Sequence, residues 1–182
     1  MQWSPTQLTT FASAIRAGEV CAAPAEGVYG YVADPFNPTA LEKILALKQR
    51  DPKKGFIVLI ENLHQLPLLC PVLPDSCITA IQTHWKEGQP PTTLILPALP
   101  TIPKILTGES NTLALRLPSL SYMRQYLKFV DIPLVSTSLN ISGQPPATSA
   151  EQLPNVPALT LPQPLSGTPS RIYNPLENIW LR

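Results

Sequence analysis

The stretch Val135 to Gly143, VSTSLNISG, places four hydroxyl side chains and one amide directly behind the apolar run IPLV. Strand alternation would turn Ser136, Ser138 and Asn140 to the same side. Hydroxyls, amides and free backbone N–H groups can together hold phosphate or ribose oxygens. A serine-rich turn that is capped by its own side chains has the same composition. The pattern therefore predicts either a polar ligand site at a strand end or a self-capped turn.

Four of the thirteen basic residues fall within the seven positions Lys48 to Lys54, KQRDPKK. Arg50 offers a planar fork, and Lys48, Lys53 and Lys54 are point charges, so the cluster could neutralise a polyphosphate. Cations also complement the dipole at the end of a helix, which is the structural alternative.

Two further charged residues stand in apolar or glycine-bearing surroundings. Glu26 lies in PAEGVYG, where Gly27 and Gly30 permit close backbone approach or form an ordinary turn. Arg116 is a lone guanidinium on the apolar segment LALRLP, and a buried arginine requires a carboxylate partner or an anionic ligand.

Common catalytic and metal signatures are missing from the sequence. It contains no P-loop, dinucleotide-binding glycine fingerprint, G-x-S-x-G element or H-E-x-x-H helix. The three cysteines form no C-x-x-C pair, and only two histidines could join them, so we predict free thiols and no metal site.

Periodicity and capping residues predict an alternation of helices and apolar strands, which is typical of an α/β sheet covered by helices. The predicted helices follow Ser4-Pro5, Asn37-Pro38, Asn62, Asp75 or Ser76, and Ser119, with a short one near Ala150. The predicted strands are EVCAAP, GFIVLI, TTLILPA, NTLALRLP and IPLVST, with small strands at Ile172 and IWL. PAEGVYGY is predicted to be a loop, and residues 1–182 are predicted to form one domain.

The charge and hydropathy of the chain restrict its partners. A formal net charge of +1 gives no global field toward nucleic acid or anionic lipid, so any anion site must be local. The N-terminal segment has no basic region with an apolar core, and no apolar run reaches about 18 residues. The sequence predicts a cytoplasmic protein without membrane contact.

Taken together, these segments resemble the YrdC/TsaC family of threonylcarbamoyl-AMP synthases in order and spacing over essentially the whole chain. The strongest matches are S-T-S-x-N-x-S-G at 136–143 and K-x-R at Lys48 and Arg50, followed by Lys54-Gly55. PAEGVYG, the segment around Arg116 and PSRI at 169–172 are supporting matches. The resemblance implies a single-domain, twisted, mixed β-sheet flanked by helices.

The resemblance also implies a reaction in which L-threonine, bicarbonate and ATP give threonylcarbamoyl-adenylate and pyrophosphate. The product would supply N6-threonylcarbamoyladenosine at position 37 of tRNA, through transferase machinery of the TsaD/TsaB/TsaE type and with weak or indirect tRNA contact. Mg²⁺ is expected with ATP, and no prosthetic group. Lys48 and Arg50 would be catalytic. The implied ATP-binding residues are Lys48, Arg50, Lys54, Arg116, Ser136, Ser138, Asn140 and Ser170. The implied threonine-binding residues are Glu26, Tyr29 and Arg116.

Some positions depart from the family pattern. Ala25 replaces a usual threonine, the 88–93 loop is altered, and Asn174 replaces a common aspartate. Two alternatives stay open: carbamoyl-adenylate chemistry like that of hydrogenase-maturation carbamoyltransferases, and a non-catalytic RNA-binding module. The net charge of +1 disfavours the RNA-binding module.

Overall fold

In the computed structural model, which describes residues 2–182, eight strands form one sheet. The strands are β1 (Cys21–Ala25), β2 (Val28–Ala33), β3 (Ile57–Leu59), β4 (Thr92–Pro97), β5 (Thr112–Arg116), β6 (Leu134–Ser138), β7 (Arg171–Asn174) and β8 (Ile179–Trp180). The helices are α1 (Pro5–Arg16), α2 (Pro38–Lys48), α3 (Asp75–His84), α4 (Lys104–Thr107) and α5 (Ser121–Val130). Short 3₁₀ turns occupy Pro52–Lys54, Leu63–Leu68 and Ala150–Gln152.

The strand order is β1-β2-β6-β3-β5-β4-β7-β8. The β3–β5 and β4–β7 pairs are parallel, whereas the other neighbours are antiparallel. The predicted mixed α/β fold is therefore confirmed. No helix within residues 2–182 has the length and apolar character needed to cross a membrane.

Side-chain caps explain where the first two helices begin. Ser4 and Gln7 form a reciprocal capping box at α1, and the Asn37 side chain accepts a hydrogen bond from the Ala40 N–H at α2. Both predicted helices are confirmed. The predicted side-chain cap of α3 is wrong, because Pro74 is its N-cap and Asp75 lies in its first turn instead.

The predicted loop PAEGVYGY is also wrong, because most of it belongs to a β-hairpin. β1 and β2 pair from Cys21↔Val32 to Ala25↔Val28, which leaves only Glu26 and Gly27 to make the turn. Glu26 adopts a φ of 70°, a left-handed conformation that is rare outside glycine. This unusual backbone at Glu26 lets the chain reverse in two residues.

The two faces of the sheet are covered unequally. On one face, α2 and α3 bury a core that includes Leu41, Ile44 and Cys77, and on the other α1 and α5 bury Leu8 and Tyr126. α1 and α5 pack with strands β1, β2, β3 and β6. All three cysteines are buried free thiols, as predicted.

The segment after β6 crosses the β1–β2 hairpin before it joins the sheet as β7. Residues 157–159 hydrogen-bond along β1, and the Gly167 N–H donates to the Gly27 carbonyl at 2.7 Å. A Cβ on Gly27 would lie 2.8 Å from the Thr168 carbonyl carbon and closer still to its oxygen. The hairpin turn and the 166–170 segment therefore fit together only with glycine at position 27.

We expect Gly27→Ala to lower the free energy of unfolding by ~1–3 kcal/mol, the range for overpacking a tight contact. Urea unfolding would measure this loss. Ser166→Ala in the same chain should restore only part of the stability, because it removes the Ser166 hydroxyl at 2.6 Å from the added Cβ but leaves the Thr168 carbonyl oxygen, which lies closer still. Wild-type stability of Gly27→Ala would contradict the described packing.

Candidate functional site

A row of four residues forms the floor of a cavity on the sheet face that α1 and α5 only partly cover. Ile95 is opposite Ala114, Ala114 is opposite Ile57, and Ile57 is opposite Ser136. Directly opposed residues share one face of a sheet, so these side chains lie side by side across β4, β5, β3 and β6. All four line a cavity of about 400 Å³.

The walls of the cavity bring together segments that are far apart in the sequence. They are the loop before β3, the end of β5, the end of β6 and the segment around β7. Among the predicted site residues, those that line the cavity are Arg50, Lys54, Arg116, Ser136, Ser138 and Ser170. The others, Glu26, Tyr29, Lys48 and Asn140, do not line it.

Arg116 and Glu26 form a buried ion pair beside the cavity. Arg116 Nε lies 3.9 Å from Glu26 Oε1, with side-chain exposures of 5% and 3%. Within residues 2–182, neither Glu26 carboxylate oxygen nor Arg116 Nε has a hydrogen-bond partner. Burial raises the pKa of Glu26 against the effect of Arg116, and burial lowers the pKa of Arg116 against the effect of Glu26. Arg116 is therefore a desolvated cation that can bind an anionic group entering the cavity.

Tyrosine hydroxyls fix the hairpin that carries Glu26. Tyr122 donates to the Glu26 carbonyl at 3.2 Å, and Tyr126 donates to the Pro24 carbonyl at 3.1 Å. Tyr29 is fully buried, and its hydroxyl accepts from the Leu161 N–H at 2.8 Å. The structure thus places Tyr29 in the core that supports the hairpin.

The loop before β3 supplies two cations to the cavity. Arg50 Nη2 donates to the Gly55 carbonyl at 3.0 Å, and its guanidinium lies 5.7 Å from the centre of the Phe56 ring. Gly55 has a φ of 57°, and a Cβ there would lie 2.7 Å from the Leu106 carbonyl oxygen. This glycine lets the loop approach α4 closely, which holds Arg50 and Lys54 at the cavity wall.

Lys48 points in a different direction from Arg50. Its side chain is buried, and its ammonium donates to the Ser138 carbonyl, to the Asn140 carbonyl at 3.0 Å and to Asn140 Oδ1 at 2.8 Å. Ser138 Oγ donates to the same Asn140 oxygen at 2.7 Å. Burial and the neighbouring Arg50 lower the pKa of Lys48 to about 8. The structure brings the K-x-R and S-x-N elements together, but with Lys48 bound to the loop.

Arg182 is a cavity residue that the sequence did not reveal. Its Nε donates to the Ser170 carbonyl at 2.8 Å, and the Ser170 hydroxyl lies 3.0 Å from Thr93 Oγ1. Burial and then the nearby Arg116 lower the pKa of Arg182. The motif PSRI pointed to Ser170, whereas IWLR carries no motif. Only the pairing of β8 with β7, which brings the end of the chain back to Ser170, could have indicated Arg182.

The charges of the cavity favour an anionic ligand. Arg50, Lys54, Arg116 and Arg182 line it, and the lining contains no Asp or Glu. Arg116 ends β5, whereas Thr112 begins it beside the loop that holds Arg50 and Lys54. Four residues of strand span about 13 Å, so the backbone positions that carry Arg116 and the Arg50–Lys54 loop lie at opposite ends of β5. The site can bind a ligand with anionic groups at both ends, with serine and threonine hydroxyls between them.

Comparison with known proteins gives consistent results. The Sua5/YciO/YrdC family, described as "Telomere recombination", matches residues 13–162. The threonylcarbamoyl-AMP synthase of Pseudoalteromonas atlantica is 41% identical over 142 residues, covering 75% of this chain and 73% of that protein. The threonylcarbamoyl-AMP synthase of Photobacterium profundum is 34% identical over 167 residues, covering 91% and 89%.

A solved structure shares the fold over nearly the whole chain. P. abyssi Sua5 complexed with L-threonine superposes with a TM-score of 0.85 at 26% identity, covering 96% of this chain and 52% of that one. The chain therefore spans about half the length of this solved relative.

Lys54→Met should weaken the binding of inorganic pyrophosphate about 3–10-fold, which is ~0.7–1.4 kcal/mol, because a cation at the cavity wall is lost. Titration calorimetry at fixed ionic strength would measure this change. Lys53→Met is the matched control, because Lys53 lies outside the cavity and pairs with exposed Glu109 at 3.9 Å. Equal losses in the two variants would contradict a local anion site.

Proposed function

The chain belongs to the Sua5/YciO/YrdC family, and we propose that it is a threonylcarbamoyl-AMP synthase that uses L-threonine, bicarbonate and ATP. The observation that carries this proposal is the two-ended cavity, with buried Arg116 at one end and Arg50 with Lys54 at the other. An amino acid carboxylate and a polyphosphate require cations at separate positions. The name threonylcarbamoyl-AMP synthase of the relatives and the L-threonine complex of P. abyssi Sua5 support threonine as the amino acid and an adenylate as the product.

In the proposed reaction, the threonine amine attacks the bicarbonate carbon, and water leaves as the carbamate forms. A carbamate oxygen then attacks the α-phosphorus of ATP, and the bond to pyrophosphate breaks with its electrons on the leaving group. Neither step needs a covalent enzyme intermediate. The contribution of the protein is to hold three substrates in line and to stabilise the negative charge that develops.

We assign the cavity residues to the substrates by their position. Arg116, which is desolvated and lines the cavity, would bind the threonine carboxylate, because an arginine fork matches a carboxylate. Arg50 and Lys54 would bind the β- and γ-phosphates, and Ser136 and Ser138 would bind oxygens of the adenylate part. Arg182 would stabilise charge near Arg116. Glu26, which does not line the cavity, would act from behind by neutralising Arg116.

Mg²⁺ would enter this site with the triphosphate. Within residues 2–182, no group of three or more His, Cys, Asp or Glu side chains could hold a metal ion. The cavity lining also has no carboxylate. The cation would supply charge neutralisation to the leaving pyrophosphate, while Arg50 and Lys54 hold the outer phosphates in place.

The product of this reaction would be consumed by a transferase that modifies tRNA, of the TsaD/TsaB/TsaE type. The adenylate is a reactive acyl donor, so a partner that receives it promptly would protect it from water. A non-catalytic RNA-binding module would not require a buried arginine without a hydrogen-bond partner on Nε in a carboxylate-free cavity. The same cavity could serve carbamoyl-adenylate chemistry, which a test of threonine dependence would separate.

The purified protein should release pyrophosphate from Mg-ATP only when both threonine and bicarbonate are present. Mass spectrometry should identify threonylcarbamoyl-adenylate as the second product. Pyrophosphate release with carbamoyl phosphate but without threonine would favour the alternative chemistry. Absence of turnover with either substrate set would overturn the proposed function.

We expect Arg116→Gln to lower kcat/KM for threonine about 10–100-fold, because a charge-assisted hydrogen bond worth ~1.5–3 kcal/mol is lost. ATP affinity, measured by calorimetry, should change less than threefold. Arg116→Lys keeps the charge beside Glu26 but not the fork, and should give an intermediate value. An unchanged threonine KM in both folded variants would show that the carboxylate binds elsewhere.

A further inference from the structure

We propose that Lys48 is a positioning residue that holds the Ser138–Ser142 loop in its ligand-ready shape, and that it does not bind phosphate itself. The role of this loop in binding ATP rests on the proposed function. The K-x-R spacing suggests two equivalent phosphate ligands. The structure gives the two cations different tasks.

The ammonium of Lys48 has all of its hydrogen-bonding capacity engaged by the loop. An ammonium has three protons. Within hydrogen-bonding distance of Nζ lie the Ser138 carbonyl, the Asn140 carbonyl, Asn140 Oδ1 and, at 3.4 Å, Ser138 Oγ. The residue is 1% exposed and is not part of the cavity lining. No proton is left for a phosphate unless the loop is released.

The shape of the loop in turn requires a cation at this place. The carbonyls of Ser138 and Asn140 and the Asn140 side-chain oxygen all converge on one point. Without a positive charge between them, these oxygen dipoles would repel one another, and each part-buried acceptor would lose the ammonium as a donor. The loop would therefore open, and Ser138, which lines the cavity, would lose its fixed position.

Further hydrogen bonds connect Lys48 and this loop to the neighbouring elements. The Ser142 N–H donates to the Lys48 carbonyl at 2.8 Å, so the residue at the end of α2 binds the loop at both its ends. Asn140 Nδ2 donates to the Gln144 carbonyl, and the Ala147 N–H donates to the Leu139 carbonyl at 3.0 Å. Lys48 thus joins α2, the end of β6 and the 140–147 segment. Two positions away, Arg50 lines the cavity and donates to the Gly55 carbonyl instead.

Hydrogen exchange of the ligand-free protein tests this inference independently of the proposed function. In Lys48→Met, the amides of Ser142 and Ala147 should exchange about 10–100-fold faster than in the wild type, because the loop opens. Amides of the β4–β5 pair should be unchanged. Lys54→Met is the matched control: it removes a cavity cation but should leave loop exchange at the wild-type rate. Wild-type exchange of the loop in folded Lys48→Met would overturn the proposal.

Binding and kinetics separate positioning from direct phosphate contact. Lys48→Met should keep pyrophosphate affinity within threefold of wild type, whereas Lys54→Met loses it, and Lys48→Met should lower kcat instead. If Lys48→Met does not fold, NMR of the lysine ammonium groups in the wild type gives the answer. The Lys48 signal should be protected from solvent exchange and unmoved by pyrophosphate, while the Lys54 signal moves. A Lys48 shift as large as that of Lys54 would show direct contact.

Discussion

The unequal covering of the sheet is the constraint on which the site depends. One face of the sheet is closed by α2 and α3, whereas the helices on the other face pack on its β1–β2–β6 side. The row from Ile95 to Ser136 is consequently left as a floor that only loops and the tail can enclose. Loops can carry arginine, lysine and serine because, unlike a packed helix, they need no apolar face. The charged side chains of the molecule can therefore be concentrated around this floor.

Desolvated cations distinguish this cavity from an ordinary basic patch. Arg116 and Arg50, which line the cavity, and Lys48, which holds the loop that carries Ser138, each have a pKa lowered chiefly by burial, because the fold places their charges where water is scarce. Such charge is costly unless it is compensated. Glu26 compensates Arg116, and the loop oxygens compensate Lys48. Free energy of folding is thus spent on cations that are set in place before a ligand arrives, either to bind it or, for Lys48, to position the loop beside it.

Elements with local signals could be predicted from the sequence, whereas long-range contacts could not. The starts of α1 and α2 can be predicted from Ser4 and Asn37, because a capping residue and its helix are neighbours in the chain. The β1–β2 hairpin could not be predicted, because its turn requires a positive φ at Glu26 and glutamate rarely adopts a positive φ. The contacts of the Lys48 ammonium depend on acceptors about 90 residues away in the sequence. The position of Arg182 in the cavity depends on the pairing of β8 with β7. The motifs therefore located the site but did not assign each residue its contacts.

The path of the tail determines when the site can form during synthesis. β7 pairs with β4 across nearly eighty positions, and Ser170 and Arg182 complete the cavity only through that pairing. A nascent chain that ends before residue 166 can already contain both helical layers, yet β4 then has an unpaired edge and the cavity has one open wall. Contacts of such long range form late and slowly. Residues up to Arg182 must therefore have left the ribosome before the cavity is enclosed, whereas the two helical layers can pack on the sheet earlier.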